Sequence, residues 1–372
     1  MEKIDRKKED NEMPKIVSIS THKPPYTLQQ HEIEQFTKTL FQNKIPKLER
    51  LLRVFKNGEI EKRNFCVPLQ WHLEEHTFEE RNQLYIQTAV DYSVDAIRSC
   101  LQNELYLKKP ISTEEIDAII FVSSTGISTP SIDARIMNRL KFPDRIRRLP
   151  IWGLGCAGGA AGISRAFDYC LSHPKDKALV ICVELCSLTF QRNDCSKSNL
   201  VGASLFADGA ACALICGDEA AVETRKQVPY IIQTASKWMP QSEDVMGWDI
   251  KNDGFHVIFS KSIPVIITNW LGPFIQDFFD EAGISLNDLD HFIVHPGGKK
   301  VLLAYKEALN LTDKQLEISQ KVLQQNGNMS SPTVLYVLDE YMKTVEKPDS
   351  YGLLVALGPG FSGEAVLLQW RE

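Results

Sequence analysis

Three residue types in this chain, a cysteine, a histidine and an asparagine, stand in local contexts that suit covalent chemistry. Cys156 lies in "IWGLGCAGGAAG", where glycines surround one thiol before a run of small and apolar residues. His295 ends an apolar run in "FIVHPGG", and Asn328 lies in "GNMSSP". A thiolate is a nucleophile, and a helix N-terminus or a histidine lowers the pKa of a thiol. An imidazole and a carboxamide can together donate two hydrogen bonds to one developing oxyanion.

Each of these residues also has an ordinary structural interpretation. Cys156 is one of nine cysteines, most of which we expect to be structural. His295 could simply end a strand. Asn328 could be a turn residue that tolerates a left-handed backbone. The residue types alone therefore leave both interpretations open.

The glycines around the cysteine allow a different function. Gly153, Gly155 and Gly158 spell G-x-G-x-x-G, the pattern of a dinucleotide-binding loop. Such a loop needs an acidic residue at the next strand end, about 20 residues further on. Glu184 ends the next apolar run, but it lies 26 residues after Gly158. The pattern therefore fits a nicotinamide or flavin oxidoreductase only in part.

Composition limits the class of protein. The chain has 372 residues, 43% of them hydrophobic and 24% charged, with a net charge of −6. It is long enough for two ordinary cores, and its interspersed basic residues do not indicate a nucleic-acid partner. No apolar run is long enough to span a membrane, and the charged residues 1–14 resemble a flexible lead-in, not a secretion signal. We therefore predict a cytoplasmic protein.

The cysteine spacing raises the question of a metal site. Cys182 and Cys186, like Cys212 and Cys216, have C-x3-C spacing. Both pairs lie in apolar runs typical of buried strands, and no histidine stands at ligand spacing beside them. We expect reduced thiols and no metal.

Short β-rich runs alternate with helical patterns, which indicates an α/β protein with buried sheets. The run "ISTEEIDAIIFVSSTG", from Ile111, matches "ISLNDLDHFIVHPGG", from Ile284, at an offset of 173 residues. Nearly the same offset places Gly155-Cys156 over Gly327-Asn328. We infer an internal duplication, with halves at 15–218 and 228–372, although any two α/β units share some likeness. Duplicated halves could bring Cys156, His295 and Asn328 around one site.

Taken together, these stretches resemble the type III polyketide synthases, the chalcone and stilbene synthase-like enzymes of the thiolase superfamily. The likeness runs from about residue 14 to the C-terminus. It rests on these stretches in this order: "GLGCAGG", "LVGASLFADGAA", "FIVHPGG", "GNMSSPTVL" and "GPGFSGEAVLL". The resemblance implies an α/β, thiolase-like five-layered αβαβα fold made of two duplicated halves, assembled as a homodimer.

The resemblance also implies a reaction. Cys156 would accept a starter acyl group from an acyl-CoA, while His295 and Asn328 would hold malonyl-CoA, promote its decarboxylation and stabilise the enolate. Repeated condensation would then extend the chain. Acyl-CoA and malonyl-CoA would be substrates, and no cofactor is expected.

Further residues match the family by position. Phe206 and Phe255 match two gatekeeper phenylalanines, although either could be an ordinary core aromatic. The residues expected to line the cavity that sets starter and chain length are Cys186, Thr189, Gly247 and Ser330. The basic residues of "ERLLRVFKNG" that would bind CoA phosphates, unless they only form a solvated helix face, are Arg50, Arg53 and Lys56.

Departures from the plant pattern resemble the bacterial branch of the family. Ala157 follows the cysteine where plant enzymes have an aromatic residue, and Cys186 stands where many have threonine. Thr129 replaces a methionine that reaches the partner's cavity. Small cavity residues suit a medium- or long-chain fatty acyl-CoA and alkylpyrone or alkylresorcinol products. The alternatives are a single-round 3-ketoacyl synthase and a non-catalytic thiolase-fold partner protein.

Overall fold

A computed structural model describes residues 13–345 and 347–371. Its strands are β1 (Lys15–His22), β2 (Tyr26–Gln29), β3 (Lys62–Phe65), β4 (Ala118–Val122), β5 (Arg147–Ile151), β6 (Lys177–Leu185), β7 (Asp208–Cys216), β8 (Pro229–Trp238), β9 (Met246–Lys251), β10 (Gly254–Phe259), β11 (Leu289–Val294), β12 (Ser350–Gly358) and β13 (Ser362–Trp370). Its helices are α1 (Gln30–Phe41), α2 (Leu48–Asn57), α3 (Phe78–Leu101), α4 (Ile132–Met137), α5 (Gly158–Ser172), α6 (Lys197–Leu205), α7 (Ile263–Ala282), α8 (Lys299–Ala308), α9 (Asp313–Asn326) and α10 (Pro332–Thr344).

Nine strands form one mixed sheet in the order β11-β12-β13-β8-β1-β7-β6-β4-β5. The sheet consists of two segments with the same strand pattern. In the first, β4 is parallel to β6, and β6, β7 and β1 follow as antiparallel neighbours. In the second, β11 is parallel to β12, and β12, β13 and β8 are antiparallel. The segments join through one residue pair, Lys15 and Tyr230. The duplication predicted from the sequence is therefore confirmed in the fold.

Two helices lie between the segments. α5 packs against β4, β6 and β7 of the first segment and against β8, β12 and β13 of the second. α10 likewise contacts β1, β6, β7, β11 and β12. α3 covers the outer face of the first segment, while α7 and α9 contact strands of the second. Helix, sheet, helix, sheet and helix layers give the predicted thiolase-like αβαβα architecture.

Buried apolar side chains explain this layering. The central strands β6 and β7 are buried along almost their whole length, as expected for a sheet covered on both faces. α5 and α10 are also buried over most of their surface, so each can pack against a sheet on both sides. Because α5 and α10 each pack on both segments of the sheet, residues from distant parts of the chain meet at their N-termini.

Candidate active site

Cys156 lies in a tight turn, Gly155–Ala157, that leads directly into α5. Gly155 has a φ of +47°, and a Cβ there would lie 2.9 Å from Pro359 Cδ. A side chain at Gly158 or Gly159 would collide with Val122 or Ser331, respectively. These glycines therefore let α5 approach β4 and the start of α10 closely. Pro359 and Val122 pack directly against Gly155 and Gly158, which argues against the dinucleotide interpretation.

The Cys156 side chain is half-buried. Its low-dielectric surroundings raise the pKa of the thiol to about 11, and hydrogen bonds with Ser330 and Asn328 oppose that increase. The N-terminus of α5 adds a positive dipole end beside the sulfur. The thiol is therefore protonated near neutral pH and needs a base when an acyl donor arrives.

Asn328 lies beside this thiol, with both its Oδ1 and its Nδ2 at 3.9 Å from Cys156 Sγ. Its Oδ1 accepts a hydrogen bond from the backbone N–H of Ser330 at 2.7 Å, an Asx-turn contact. Its Nδ2 donates to the carbonyl of Gly297 at 3.1 Å. These two bonds fix the orientation of the amide and hold its N–H₂ group between the thiol and the His295 loop.

His295 follows β11, and its backbone N–H donates to the carbonyl of Val355 at 2.9 Å. The side chain is buried, and neither ring nitrogen has a hydrogen-bond partner among the described residues. Burial lowers the pKa of His295 to about 3, so the ring is neutral. A neutral ring offers one N–H donor and one acceptor nitrogen, which suits a site that binds a carbonyl oxygen.

Glu184 is a site residue whose role the sequence did not reveal. The carboxylate is fully buried below the turn that carries Asn328. It accepts hydrogen bonds from Ser124 N at 2.9 Å, Thr125 Oγ1 at 2.8 Å and Ser331 Oγ at 2.9 Å. Burial raises its pKa to about 7. Glu184 therefore ties the ends of β4 and β6 to the start of α10.

A narrow, mostly apolar cavity, partly open to solvent, lies between α1, α6 and the hairpin β9–β10. Phe206, Cys186 and Thr189, all predicted from the sequence, line it. The backbone of Phe206 pairs with that of Asn328, so the cavity lies near the candidate active site, although Cys156, His295 and Asn328 do not line it. Trp248 also lines it, with its ring centroid 5.8 Å from that of Phe206.

The other predicted cavity residues have different positions. Phe255 lines a separate small pocket near Phe78 and is 6.0 Å from Trp248, centroid to centroid. Gly247 precedes Trp248 on β9, and a Cβ there would meet no atom within 4 Å. Ser330 has a positive φ of 58° and contacts Asn328 and Cys156 instead of the apolar walls.

The three basic residues of α2 lie on its solvent side. Leu48, Leu52 and Phe55 bury the opposite face of the helix. Arg50, Arg53 and Lys56 are exposed, and within the described residues no carboxylate forms an ion pair with them. They are thus available to an anionic ligand, and their role stays a prediction.

Among the described residues, no cluster of three or more His, Cys, Asp or Glu side chains could hold a metal ion. No helix in the described part of the chain is long and apolar enough to cross a membrane.

A half-buried thiol at a helix N-terminus, with an amide and an imidazole from the second of two duplicated halves, is an arrangement typical of thiolase-fold acyltransferases. The family models agree with this class. The model for chalcone and stilbene synthases, N-terminal domain, matches residues 2–219, and that for the C-terminal domain matches residues 230–370.

Known proteins are similar over nearly the full chain. A putative chalcone synthase of Bacillus subtilis is 47% identical and covers 96% of this chain and 99% of its own. An alpha-pyrone synthesis polyketide synthase-like protein of Mycobacterium tuberculosis is 29% identical, over 86% and 82%. The crystal structure of 1,3,6,8-tetrahydroxynaphthalene synthase from Streptomyces coelicolor A3(2), a bacterial type III polyketide synthase, has a TM-score of 0.88 at 29% identity, over 96% and 99%.

The chain belongs to the chalcone and stilbene synthase family, the type III polyketide synthases, and is an acyl-transferring enzyme.

Proposed function

We propose that this enzyme loads a medium- or long-chain fatty acyl group from CoA onto Cys156 and extends it iteratively with malonyl-CoA to alkylpyrone or alkylresorcinol products. The observation that carries the proposal is the apolar cavity beside the Cys156–Asn328 pair. Apolar walls of this kind favour an alkyl chain, whose thioester carbon would lie at the thiol. The name of the alpha-pyrone relative supports a pyrone product.

In the proposed loading step, Cys156 Sγ transfers its proton to the basic nitrogen of His295 and attacks the acyl-CoA carbonyl. The carbon–sulfur bond to CoA breaks, and CoA takes the proton as its thiol leaves. Among the described residues no group is bonded to the imidazole nitrogens, so one of them is free to accept this proton. The acyl group then remains on Cys156 as a thioester.

In the proposed extension step, the malonyl thioester oxygen accepts hydrogen bonds from Asn328 Nδ2 and from the N–H of His295. Loss of CO₂ leaves its electron pair on the enolate, which these donors stabilise. The enolate carbon attacks the acyl carbonyl, and the thiolate of Cys156 leaves. Transfer of the product from CoA back to Cys156 starts the next cycle.

We also propose that Arg50, Arg53 and Lys56 bind CoA phosphates and that two copies form a homodimer. Within the described residues, β5 pairs only with β4, so its other edge is open. Beside that edge, Ile127, Leu149 and Trp152 are each more than 40% exposed. An open edge flanked by apolar side chains favours binding of a second copy of the chain.

The nine unpaired cysteines and the CoA substrates support a cytoplasmic location.

The test is incubation with saturated acyl-CoA starters of increasing length and radiolabelled malonyl-CoA, with the products resolved by mass. We expect a maximum at a medium or long chain and products that contain more than one malonyl-derived unit. Products extended by a single unit would favour the 3-ketoacyl synthase alternative. No turnover and no acyl adduct on Cys156 would favour a non-catalytic partner protein.

A further inference from the structure

The β9–β10 hairpin forms part of the cavity wall and is separate from the nine-stranded sheet. Among the described residues, its two strands pair only with each other. Trp248 from β9 and Val257 from β10 line the cavity. The ring of Trp248 contacts that of Phe206, with 5.8 Å between centroids. The ring of Phe255 contacts that of Phe78 on α3, with 5.5 Å. Apolar contacts of this kind are not directional, so they do not fix the position of the hairpin by themselves.

Two side chains from outside the hairpin donate directional hydrogen bonds to the carbonyls of its turn. Arg81, on α3, donates through Nη2 to the carbonyl of Asp253 and through Nη1 to that of Phe190 at 3.4 Å. Gln191 donates through Nε2 to the carbonyl of Phe255 at 3.0 Å. Arg81 is 8% exposed and Gln191 is 6% exposed, so water competes little for these bonds. The guanidinium therefore links α3, the turn of the hairpin and the segment before α6.

The residues of the turn suit this contact. Gly254 has a φ of +120°, and a Cβ there would lie 3.2 Å from Arg81 Nη2 and 3.3 Å from Gln191 Nε2. Glycine therefore allows this backbone conformation and lets both donors approach closely. His256 Nε2 lies 2.8 Å from Asp253 Oδ1, and this hydrogen bond lowers the pKa of Asp253. The charged carboxylate of Asp253 then also attracts the guanidinium of Arg81.

The turn is close enough to the cavity wall to control it. The pair Trp248 and Val257 lies three residues, about 10 Å, from the end of β9. It lies two residues from the base of the hairpin, where Met246 pairs with Phe259. A tilt about this base that moved the turn by ~2 Å would move the pair by about 0.8 Å. In a narrow, close-packed cavity such a shift changes which chains fit.

We propose that Arg81 is a positioning residue for the cavity: it fixes the turn of the β9–β10 hairpin and thereby places Trp248 and Phe255, which narrows the range of acyl-chain lengths that the enzyme accepts. Gln191 supports the same turn. Arg81 does not line the apolar cavity, so it acts through the hairpin and not by contact with the chain. The inference deepens the proposed function and rests on it, because the selected chain is the starter or the growing product.

Trypsin cleavage tests the hold on the turn without any substrate. Lys251, the last residue of β9, is exposed beside the turn. Cleavage after Lys251 requires the turn to detach, so its rate follows the population of the detached form. Arg81→Met removes a charged donor and should speed this cleavage by about 10–100-fold, and Gln191→Met removes a neutral donor and should speed it by about 3–10-fold. The mass of the fragments identifies the cleavage site.

Steady-state kinetics with saturated acyl-CoA starters of increasing length test the effect on the cavity. A well-fitted apolar pocket discriminates by about 10-fold or more per methylene, so the wild type should have a sharp optimum. Arg81→Met should raise KM for the best starter more than it lowers kcat, and its discrimination between neighbouring lengths should fall to about twofold. Alkylation of Cys156 by iodoacetamide should stay close to the wild-type rate, because this small electrophile does not use the cavity wall.

Two variants control these measurements. Arg81→Lys keeps the charge and one donor toward the carbonyl of Asp253, so it should restore most of the discrimination. Arg192→Met removes a neighbouring arginine, whose side chain forms an ion pair with Glu75 at 3.6 Å. It should leave both the cleavage after Lys251 and the chain-length profile unchanged.

The melting temperature shows whether Arg81→Met folds, and if it does not, Gln191→Met decides. A chain-length profile as sharp as that of the wild type in the folded variants would overturn the inference, whether or not cleavage is faster, and would leave the proposed function intact. Failure of every acyl-CoA to acylate Cys156 in the wild type would overturn both.

Discussion

The buried carboxyl of Glu184 allows a quantitative prediction about stability. It accepts hydrogen bonds from Ser124, Thr125 and Ser331, but it forms no ion pair with a basic side chain of the described residues. The perturbation is Glu184→Gln. A glutamine can keep its Oε1 toward Ser124 and Thr125 and donate through Nε2 to the oxygen of Ser331. The variant therefore removes the ionisation while conserving shape and hydrogen bonds.

The expected magnitude follows from the pKa. Burial raises the pKa of Glu184 from 4.5 to about 7. One pKa unit corresponds to ~1.36 kcal/mol, so ionising Glu184 costs about 3 kcal/mol more in the folded protein than in the unfolded chain. Between these pKa values the folded state binds more protons than the unfolded state, so this contribution destabilises the protein as pH rises. When the pH is above the pKa of Glu184 in the folded protein, the ionised carboxylate lowers the stability of the protein by this full amount.

The assay is thermal unfolding of the wild type and of Glu184→Gln from pH 5 to pH 8. The stability of the variant relative to the wild type should increase over this range by about 2.5 kcal/mol, because a small part of the penalty is already present at pH 5. For a chain of this length that is roughly 3 °C, at an unfolding entropy of about 2.1 cal/mol/K per residue. The buried His72 and His295 titrate in both proteins and cancel in the difference. A difference that stays constant with pH would refute the reasoning.

Three further predictions concern the candidate active site. Cys156→Ala should form no acyl adduct, measured by intact-protein mass after incubation with an acyl-CoA; wild-type turnover by this variant would disprove the proposed nucleophile. Asn328→Ala should slow malonyl-CoA decarboxylation by about 100-fold, the usual effect of removing one oxyanion donor, with acyl loading largely intact; an equal loss of loading would show that the amide serves both steps. Trp248→Ala should open the cavity wall beside Phe206 and shift the preferred starter to longer chains, whereas an unchanged chain-length profile would exclude Trp248 from the selection of substrate.

Sequence analysis located the elements of the fold that follow from periodicity and repetition. The offset of 173 residues predicted that Cys156 and Asn328 occupy equivalent turns, and each precedes one of the two central helices, α5 and α10. Their atoms lie 3.9 Å apart. Long-range placement was predictable here because the duplicated pattern relates two distant segments without knowledge of the contacts between them.

Other features depend on three-dimensional contacts that no local pattern contains. In the sequence, Glu184 is only a polar residue at the end of a predicted strand. The fold places three hydrogen-bond donors around its carboxylate. His72 and Arg63, which line the cavity, lie in segments without regular polarity. α1 packs on the turn that carries His72, and α9 and β7 pack on the strand that carries Arg63. Trp248 faces the cavity because of the pairing of β9 with β10. Such residues can be identified as part of the site only from the packing of the layers in three dimensions.

The close contact between the start of α5 and the start of α10 has a consequence for folding kinetics. A Cβ at Gly159 would lie 2.3 Å from the carbonyl oxygen of Ser331, a residue 172 positions further along the chain. Contacts between residues so far apart close large loops and form slowly. Neither half alone can place Asn328 beside Cys156. During refolding, the reactivity of this thiol should therefore reach its native value after the helical signal does, so that it reports the completion of folding.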